Sequence, residues 1–211
     1  MNREYVLASG NQGKLREISG MLEPLGFVVR PQIDWDVPEA AETASTFIEN
    51  SLIKARQAAL YTGLPSIADD SGLVVPALNG APGIYSARYA GDDADDLANM
   101  QKLLHVLEGK SGLDRSAYFY CAMVLVNSVD DPAPLVATAR WHGHILTSRQ
   151  GDGGFGYDPI FGVSGLSGSG RPVASAELSP AEKSRISHRG QALKELVRQL
   201  QCTVPDDGIC E

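Results

Sequence analysis

A short apolar run over residues 5–8 breaks into the turn-forming Ser9-Gly10-Asn11-Gln12-Gly13, after which Leu15, Ile18, Met21 and Leu22 recur at helical spacing. The chain therefore opens as strand, loop and helix. Pro24 and Gly26 close that helix, Phe27-Val28-Val29 resumes an extended run, and an acidic, proline-containing stretch over residues 34–42 follows. Thr46-Phe47-Ile48-Glu49 has the form of a capping box, in which the Thr hydroxyl and the Glu carboxylate satisfy orphan amide groups reciprocally. The helix it starts runs to about Tyr61, before Gly63 and Pro65. Ser66-Ile67-Ala68 reads as a buried strand that ends in the turn-like Asp69-Asp70-Ser71-Gly72.

Residues 76–91, rich in Gly, Pro and Ala, read as an ordered loop. The helix after it opens with Asp92, Asp93, Asp95 and Asp96 and takes Leu97, Met100, Leu104 and Leu107 as its buried stripe. Those carboxylates resemble metal ligands, but they also sit where the partial positive charge of a helix N-terminus favours anions. Residues 117–126 and 135–146 make the clearest hairpin, and His142 and His144 in its second strand read as a sheet-surface pair or as two ligands lacking a third. Residues 165–170 read as flexible Gly/Ser chain. Ser179-Pro180-Ala181-Glu182 combines an N-cap, a first-turn proline and a third-position Glu, and Ala192, Leu193, Leu196, Val197 and Leu200 give the last helix its apolar stripe. With no internal repeat and no linker, residues 1–211 read as one domain, its core spanning about 5–200 and a loose tail 201–211.

Eighteen Lys and Arg against 26 Asp and Glu give a net charge of −8, which argues against a nucleic-acid polymer held through its phosphates. No run is long enough to span a bilayer and the N-terminus lacks a signal-peptide pattern. The three cysteines, Cys121, Cys202 and Cys210, form no C-x-x-C pair and suit a reducing compartment. The expectation is a cytoplasmic protein.

Chemistry can reside in five places. Ser9-Gly10-Asn11-Gln12-Gly13-Lys14 joins a strand to a helix start, where backbone N–H groups, the helix dipole and a Lys charge form an anion cradle, or else a plain connection. It is neither a Walker P-loop nor G-x-G-x-x-G. Asp69-Asp70 at a strand end suits Mg²⁺, a hard cation that takes one or two carboxylates plus phosphate oxygens, and tight-turn chemistry is the alternative. Asn50 and Lys54 share a helix face with Glu49 nearby, which matters if that face meets Asp69-Asp70. Phe155-Gly156-Tyr157-Asp158 offers an aromatic platform, and Lys183 with His188-Arg189 offers donors to carbonyl or phosphate oxygens. Nothing supports a nucleophilic serine or cysteine.

Taken in order, six motifs resemble the inosine/xanthosine triphosphate pyrophosphatase, or Ham1-like, family: Ser9-Gly10-Asn11-Gln12-Gly13-Lys14; Phe47-Ile48-Glu49-Asn50 with Lys54-Ala55; Ile67-Ala68-Asp69-Asp70-Ser71-Gly72-Leu73; Gly80-Ala81-Pro82-Gly83-Ile84-Tyr85-Ser86-Ala87-Arg88-Tyr89; Phe155-Gly156-Tyr157-Asp158-Pro159; and Ser187-His188-Arg189-Gly190. The resemblance implies an α/β fold, an elongated twisted mixed sheet with flanking helices and two lobes around a central nucleotide-binding cleft. It further implies a homodimer, Mg²⁺ dependence and hydrolysis of ITP, dITP and XTP to the monophosphate and pyrophosphate. Asp70 would accept the proton of the attacking water and ligate Mg²⁺ together with Asp69 and Glu42. Ser9, Gly10, Asn11, Gln12, Gly13, Lys14, Lys54 and Ser71 would hold the substrate, its triphosphate above all. Phe155, Gly156, Tyr157, Asp158, Lys183, His188 and Arg189 would surround the base.

Donors from His188-Arg189 would accept a 6-keto purine and be left unpaired against adenine, while rejection of guanine would fall to Phe155 and Asp158. The Gly/Ser-rich residues 164–171 look longer and looser than the family's connection there. Two other readings compete: a Mg²⁺-dependent pyrophosphatase of Maf-like or dUTPase-like kind for another nucleotide, and a nucleotide sensor without catalysis.

Overall fold

The computed structural model describes residues 4–168 and 171–203. Seven strands form one mixed sheet in the order β2-β1-β3-β4-β5-β6-β7: β1 (Glu4–Leu7), β2 (Val28–Pro31), β3 (Ser66–Val74), β4 (Ser116–Val126), β5 (Leu135–Ile145), β6 (Phe161–Gly168) and β7 (Arg171–Ala174). β1 runs parallel to β2 and β3, whereas β6 is antiparallel to β5 and β7. Parallel neighbours need crossovers, and α1 (Gln12–Leu22) and α2 (Phe47–Thr62) lie in them. The remaining helices are α3 (Asp96–Val106), α4 (Pro180–Ile186) and α5 (His188–Thr203).

The chain divides into two compact units. The first comprises the described residues up to Asp70, Cys121–Ala139 and those from Arg189 onward; the second comprises Ser71–Tyr120 and Arg140–His188. In the first, the two-residue period of the strands sends alternate side chains to two separate cores. Tyr5, Leu7, Ile67, Cys121, Met123 and Leu125 pack with Ile18 and Leu22 of α1 and with Ala192, Leu193, Leu196 and Leu200 of α5. Their neighbours Val6, Ala8, Ala68, Val124 and Val126 pack instead with Ala55, Ala58 and Ala59 of α2.

The second unit has its own core, in which Met100, Leu103 and Leu107 meet an aromatic group: Phe119 and Phe161 lie 4.6 Å apart, and Trp141 and Phe161 5.2 Å. Gly143 permits the approach of β5 to β6, because a Cβ there would collide with the Gly162 carbonyl and the Phe161 ring. Arg115 is buried, and its guanidinium donates to the carbonyls of Ile145, Leu107 and Leu146 at 2.7, 2.8 and 2.6 Å.

Several expectations need correction. Asp69-Asp70-Ser71-Gly72 is no turn, for β3 continues through it to Val74. Turn-forming residues are overridden there by a strand nearly buried along its length. The Gly/Ser stretch is likewise strand as far as Gly168, paired with β7, while Ser169 and Gly170 lie outside the described residues. Leu97 is 40% exposed, and Leu103 takes its expected place in the stripe of α3. The Thr46 hydroxyl accepts the Glu49 N–H as expected, but the Glu49 carboxylate takes the Thr46 hydroxyl. At Ser179 and Glu182 the full capping box forms. α5 runs through Cys202 to Thr203, and the rest of the tail expected to be loose, with Cys210, lies outside the described residues.

Candidate active site

The continuation of β3 sets the geometry of the first unit. Asp69 and Asp70 are adjacent, so their carboxylates fall on opposite faces of the sheet. Asp70 points toward α2, where Lys54 Nζ lies 3.1 Å from its Oδ1 and Asn50 Nδ2 donates to its Oδ2 at 3.4 Å. The same Lys54 Nζ lies 2.9 Å from Glu42 Oε1, so one ammonium is shared by two carboxylates. Burial pushes the Asp70 carboxyl above the usual carboxylate range, with the Glu42 charge adding and the Lys54 charge opposing. Burial would lower Lys54, but Asp70, Asp69 and Glu42 outweigh it and keep the ammonium charged.

Asp69 points toward α1 and α5. Lys14 Nζ lies 3.0 Å from its Oδ2 and Arg189 Nε 3.3 Å, while the Arg189 guanidinium also grips Glu17 of α1. Burial alone would raise Asp69, yet the charges of Lys14, Arg189 and Lys54 hold it well below the ordinary range. Arg189 is raised in turn despite burial, chiefly by Asp69 and Glu17. Cys121 behaves as a core thiol, pushed up to about 12 by burial and the Asp69 charge.

The turn after β1 is built as a helix start. Asn11 caps α1 by accepting the Lys14 N–H at 3.1 Å, and Ser9 Oγ accepts the Asn11 N–H at 3.2 Å. Gly10, Asn11 and Gln12 are exposed, and Gly13 and Lys14 half-buried. Exposed peptide groups at a helix N-terminus, with a lysine in its first turn, are suited to an anion.

In the second unit the node is Asp158, which is 2% exposed. Its Oδ2 accepts the Phe155 N–H at 2.9 Å and Lys183 Nζ at 2.6 Å, and its Oδ1 accepts Ser175 Oγ at 2.8 Å. Lys183 Nζ also sits 4.8 Å from the centre of the Phe155 ring. Gly154, at φ +75°, must stay glycine, since a Cβ would strike the Asp158 carboxylate. The Gly156 N–H is held by Asp96 at 2.7 Å, so that carboxylate does more than complement the start of α3. Tyr157 is buried and donates its hydroxyl to the Ser86 carbonyl, while Ser86 Oγ accepts the Leu73 N–H. His188, 5% exposed, lies nearly parallel to Phe119 at 4.8 Å.

The expected residues thus gather into three groups. Glu42, Lys54 and Asp70 come together on one sheet face of the first unit; Lys14, Asp69 and Arg189 come together on the other. Phe155, Asp158 and Lys183 form the node of the second unit, in which Gly156 and Tyr157 are fixed by neighbours and His188 sits in the aromatic group. Ser71 follows Asp70 in β3, half-buried. Arg189 pairs with Asp69 and with Glu17. Glu17 and Ser175, which no sequence motif singles out, complete the two charged nodes; Glu17 sits three residues after Lys14 on α1. His142 is exposed beside Tyr118, with ring centres 5.6 Å apart.

Among the described residues, no three His, Cys, Asp or Glu side chains converge as a ready metal cluster. Of the expected ligands Glu42, Asp69 and Asp70, Glu42 and Asp70 are drawn to one cation and suit a hard divalent ion, whereas Asp69 faces Lys14 and Arg189 instead. Also among the described residues, no helix is long and apolar enough to cross a membrane.

The sequence profile of the Ham1 family matches residues 5–199. A Vibrio parahaemolyticus protein named dITP/XTP pyrophosphatase is 54% identical over 198 residues, covering 94% of this chain and 96% of the relative. A HAM1 protein of Coxiella burnetii, solved as a structure, superposes with a TM-score of 0.86 at 49% identity, over 95% of this chain and 100% of that one. The Staphylococcus aureus Ham1 protein does so with a TM-score of 0.82 at 39% identity, over 96% and 100% of the two chains.

Proposed function

The chain belongs to the Ham1 family, and on that footing we propose that it is a nucleoside triphosphate pyrophosphatase acting on the non-standard purine nucleotides ITP, dITP and XTP. Water attacks the α-phosphorus, the bond from that phosphorus to the α–β bridging oxygen breaks, and a nucleoside monophosphate and pyrophosphate leave. The single observation that carries this reading is the Glu42–Lys54–Asp70 arrangement, a buried carboxylate of raised proton affinity beside an ammonium suited to a polyphosphate.

Asp70 is the proton acceptor for the attacking water, and its raised proton affinity suits that task. Lys54 turns from its two carboxylates to the phosphate oxygens, while the start of α1 and Lys14 bind the far end of the triphosphate. Glu42 and Asp70 would hold Mg²⁺, which would neutralise phosphate oxygens and make water more acidic there. Asp69 supports this set from the opposite sheet face by fixing Lys14 and Arg189. Phe155 presents its ring to the purine from a turn braced by Asp158, and Lys183 and His188 contribute to recognition of the 6-keto base. With its three neighbours engaged by the protein itself, Asp158 contributes to guanine rejection by shaping the Phe155 turn. The chain acts as a homodimer in the cytoplasm.

The purified protein is incubated with Mg²⁺ and separately with ITP, dITP, XTP, GTP, ATP and dUTP, and pyrophosphate and orthophosphate are measured independently. Pyrophosphate released chiefly from the inosine and xanthosine nucleotides is expected. Release from dUTP, or orthophosphate in place of pyrophosphate, would replace this reading with that of another nucleotide hydrolase; binding without product would make the chain a sensor.

A further inference from the structure

Asn50 lies in the first turns of α2 and is completely buried. Its amide is used at both ends. Oδ1 accepts the backbone N–H of Ala44 at 3.0 Å, and Nδ2 donates to Asp70 Oδ2 at 3.4 Å. The two contacts fix the amide orientation, since the oxygen must face the N–H and the nitrogen the carboxylate. Ala44 stands two residues after Glu42, in a segment without regular secondary structure. That segment is also tied to α2 by Lys54 Nζ on Glu42 and by Gln57 Nε2 on the Pro38 carbonyl.

We propose that Asn50 is a positioning residue for the carboxylate pair, one amide that sets the Glu42 segment and Asp70 at a fixed spacing for a divalent cation. This rests on the reading of Glu42 and Asp70 as the metal-holding pair. The physical need is clear from the rest of the site. Asp70 is held by a strand, whereas Glu42 sits on irregular chain that could settle at many distances from it. Lys54 draws the two carboxylates together but must leave them to reach phosphate. Asn50 is neutral and buried, and stays when Lys54 moves. It also occupies one lone pair of Asp70 Oδ2, which leaves Oδ1 as the oxygen facing Lys54 and Glu42. Partners that orient ligand carboxylates in this way carry about 10–100-fold in metal affinity or activity.

The test uses the full chain with Asn50→Ala. Mn²⁺ alone, without nucleotide, is titrated and free Mn²⁺ followed by its electron paramagnetic resonance signal; Mg²⁺ dependence of pyrophosphate release from ITP and the melting temperature are measured in parallel. Asn50→Ala is expected to weaken Mn²⁺ binding about tenfold or more, and to raise the Mg²⁺ concentration for half-maximal rate by a similar factor. The KM for ITP at saturating Mg²⁺ stays within about twofold of the parent value, since Asn50 touches no substrate group. A lower melting temperature with unchanged Mn²⁺ affinity and Mg²⁺ requirement would overturn the proposal and leave Asn50 a core amide. If Asn50→Ala does not fold, Asn50→Ser, which keeps a hydroxyl for the Ala44 amide, is read on the same scale with the same two outcomes. Should the parent bind Mn²⁺ yet release no pyrophosphate from ITP, the enzymatic reading fails while the Mn²⁺ titrations still decide the role of Asn50. If the parent binds no Mn²⁺, the positioning role falls with the metal pair.

Discussion

Asp69 and Asp70 are consecutive residues of one strand whose carboxylates lie on opposite faces of the sheet, the first bound by Lys14 and Arg189 and the second by Lys54 and Asn50. The division separates their work. Asp69 is an anion locked between two cations, while Asp70 is carried against a burial cost beside a cation that it shares with Glu42.

Asp70→Asn separates catalysis from stability. The raised folded-state proton affinity of Asp70 means that its contribution is fully present below the ordinary carboxylate pKa, about 3.9, and is lost as pH rises through the raised value. At pH 8 the native protein therefore carries a charged group at a cost, and an isosteric amide removes it. The melting temperature of Asp70→Asn at pH 8 is expected to equal or exceed that of the parent, with pyrophosphate release down by about 10³-fold. A near-normal rate would take the base role away from Asp70.

For Asp69→Asn the sign reverses. A depressed carboxyl contributes stability that is present above about pH 3.9 and is lost as pH falls through the lower folded value. Removing the charge leaves Lys14 and the buried Arg189 without their shared carboxylate, a loss of about 3–5 kcal/mol. Urea denaturation at pH 7 should reveal the difference, and the gap between variant and parent should narrow as pH is lowered below about 4. A gap that is constant with pH would mean that packing, not charge, is what Asp69 supplies.

These opposite roles were hidden in the sequence for a definite reason. Asp-Asp-Ser-Gly is good turn chemistry, and only burial by the surrounding elements keeps β3 extended through it. Once the strand is known to continue, its period assigns the two faces. The spacing of Asn50 and Lys54 on one helix face was legible, as were the start of α1 and the capping box at Ser179, because each depends on residues within a few positions. The pairing of Arg189 with Asp69, 120 residues earlier in the chain, had no local signal. Arg115 and Ser175 had no readable signal; their partners are up to 31 residues away and are backbone carbonyls or a single carboxylate.

Lys54→Met tests whether Lys54 competes with the divalent ion. Its ammonium is within 3.1 Å of both carboxylates, so an arriving cation must share them with it or displace it. Without nucleotide, Mn²⁺ should bind Lys54→Met several-fold more tightly than the parent, while pyrophosphate release falls by about 10²-fold for want of the proposed phosphate contact. Weaker Mn²⁺ binding would show instead that Lys54 holds the carboxylates in position for the metal.

Arg115→Lys addresses stability in the second unit. The three carbonyls are reached by three different nitrogens of one planar group, a geometry that a single ammonium on a flexible stem does not reproduce. Loss of two of these charge-assisted bonds costs about 3 kcal/mol. The melting temperature should fall accordingly, with kcat/KM for ITP within about twofold of the parent well below the transition, because no reacting group is touched.

Asp158 and Lys183 invite a double-mutant cycle. Asp158→Asn keeps the shape of the side chain and, with its amide nitrogen toward the Ser175 hydroxyl, which can accept, still takes the Phe155 N–H. The buried lysine then faces a neutral partner, and a loss of about 3–5 kcal/mol follows. Lys183→Met alone leaves the carboxylate with two donors and should cost less. In the double variant neither charge is buried, so the combined loss should fall short of the sum by at least about 1 kcal/mol. The kinetic signature differs from that of Asp70: slackening of the Phe155 turn should raise KM for ITP more than it lowers kcat, as its proposed place beside the base requires. Strict additivity in the cycle would show that the 2.6 Å contact contributes no net energy, and a fall in kcat alone would move Asp158 from base recognition to the chemical step.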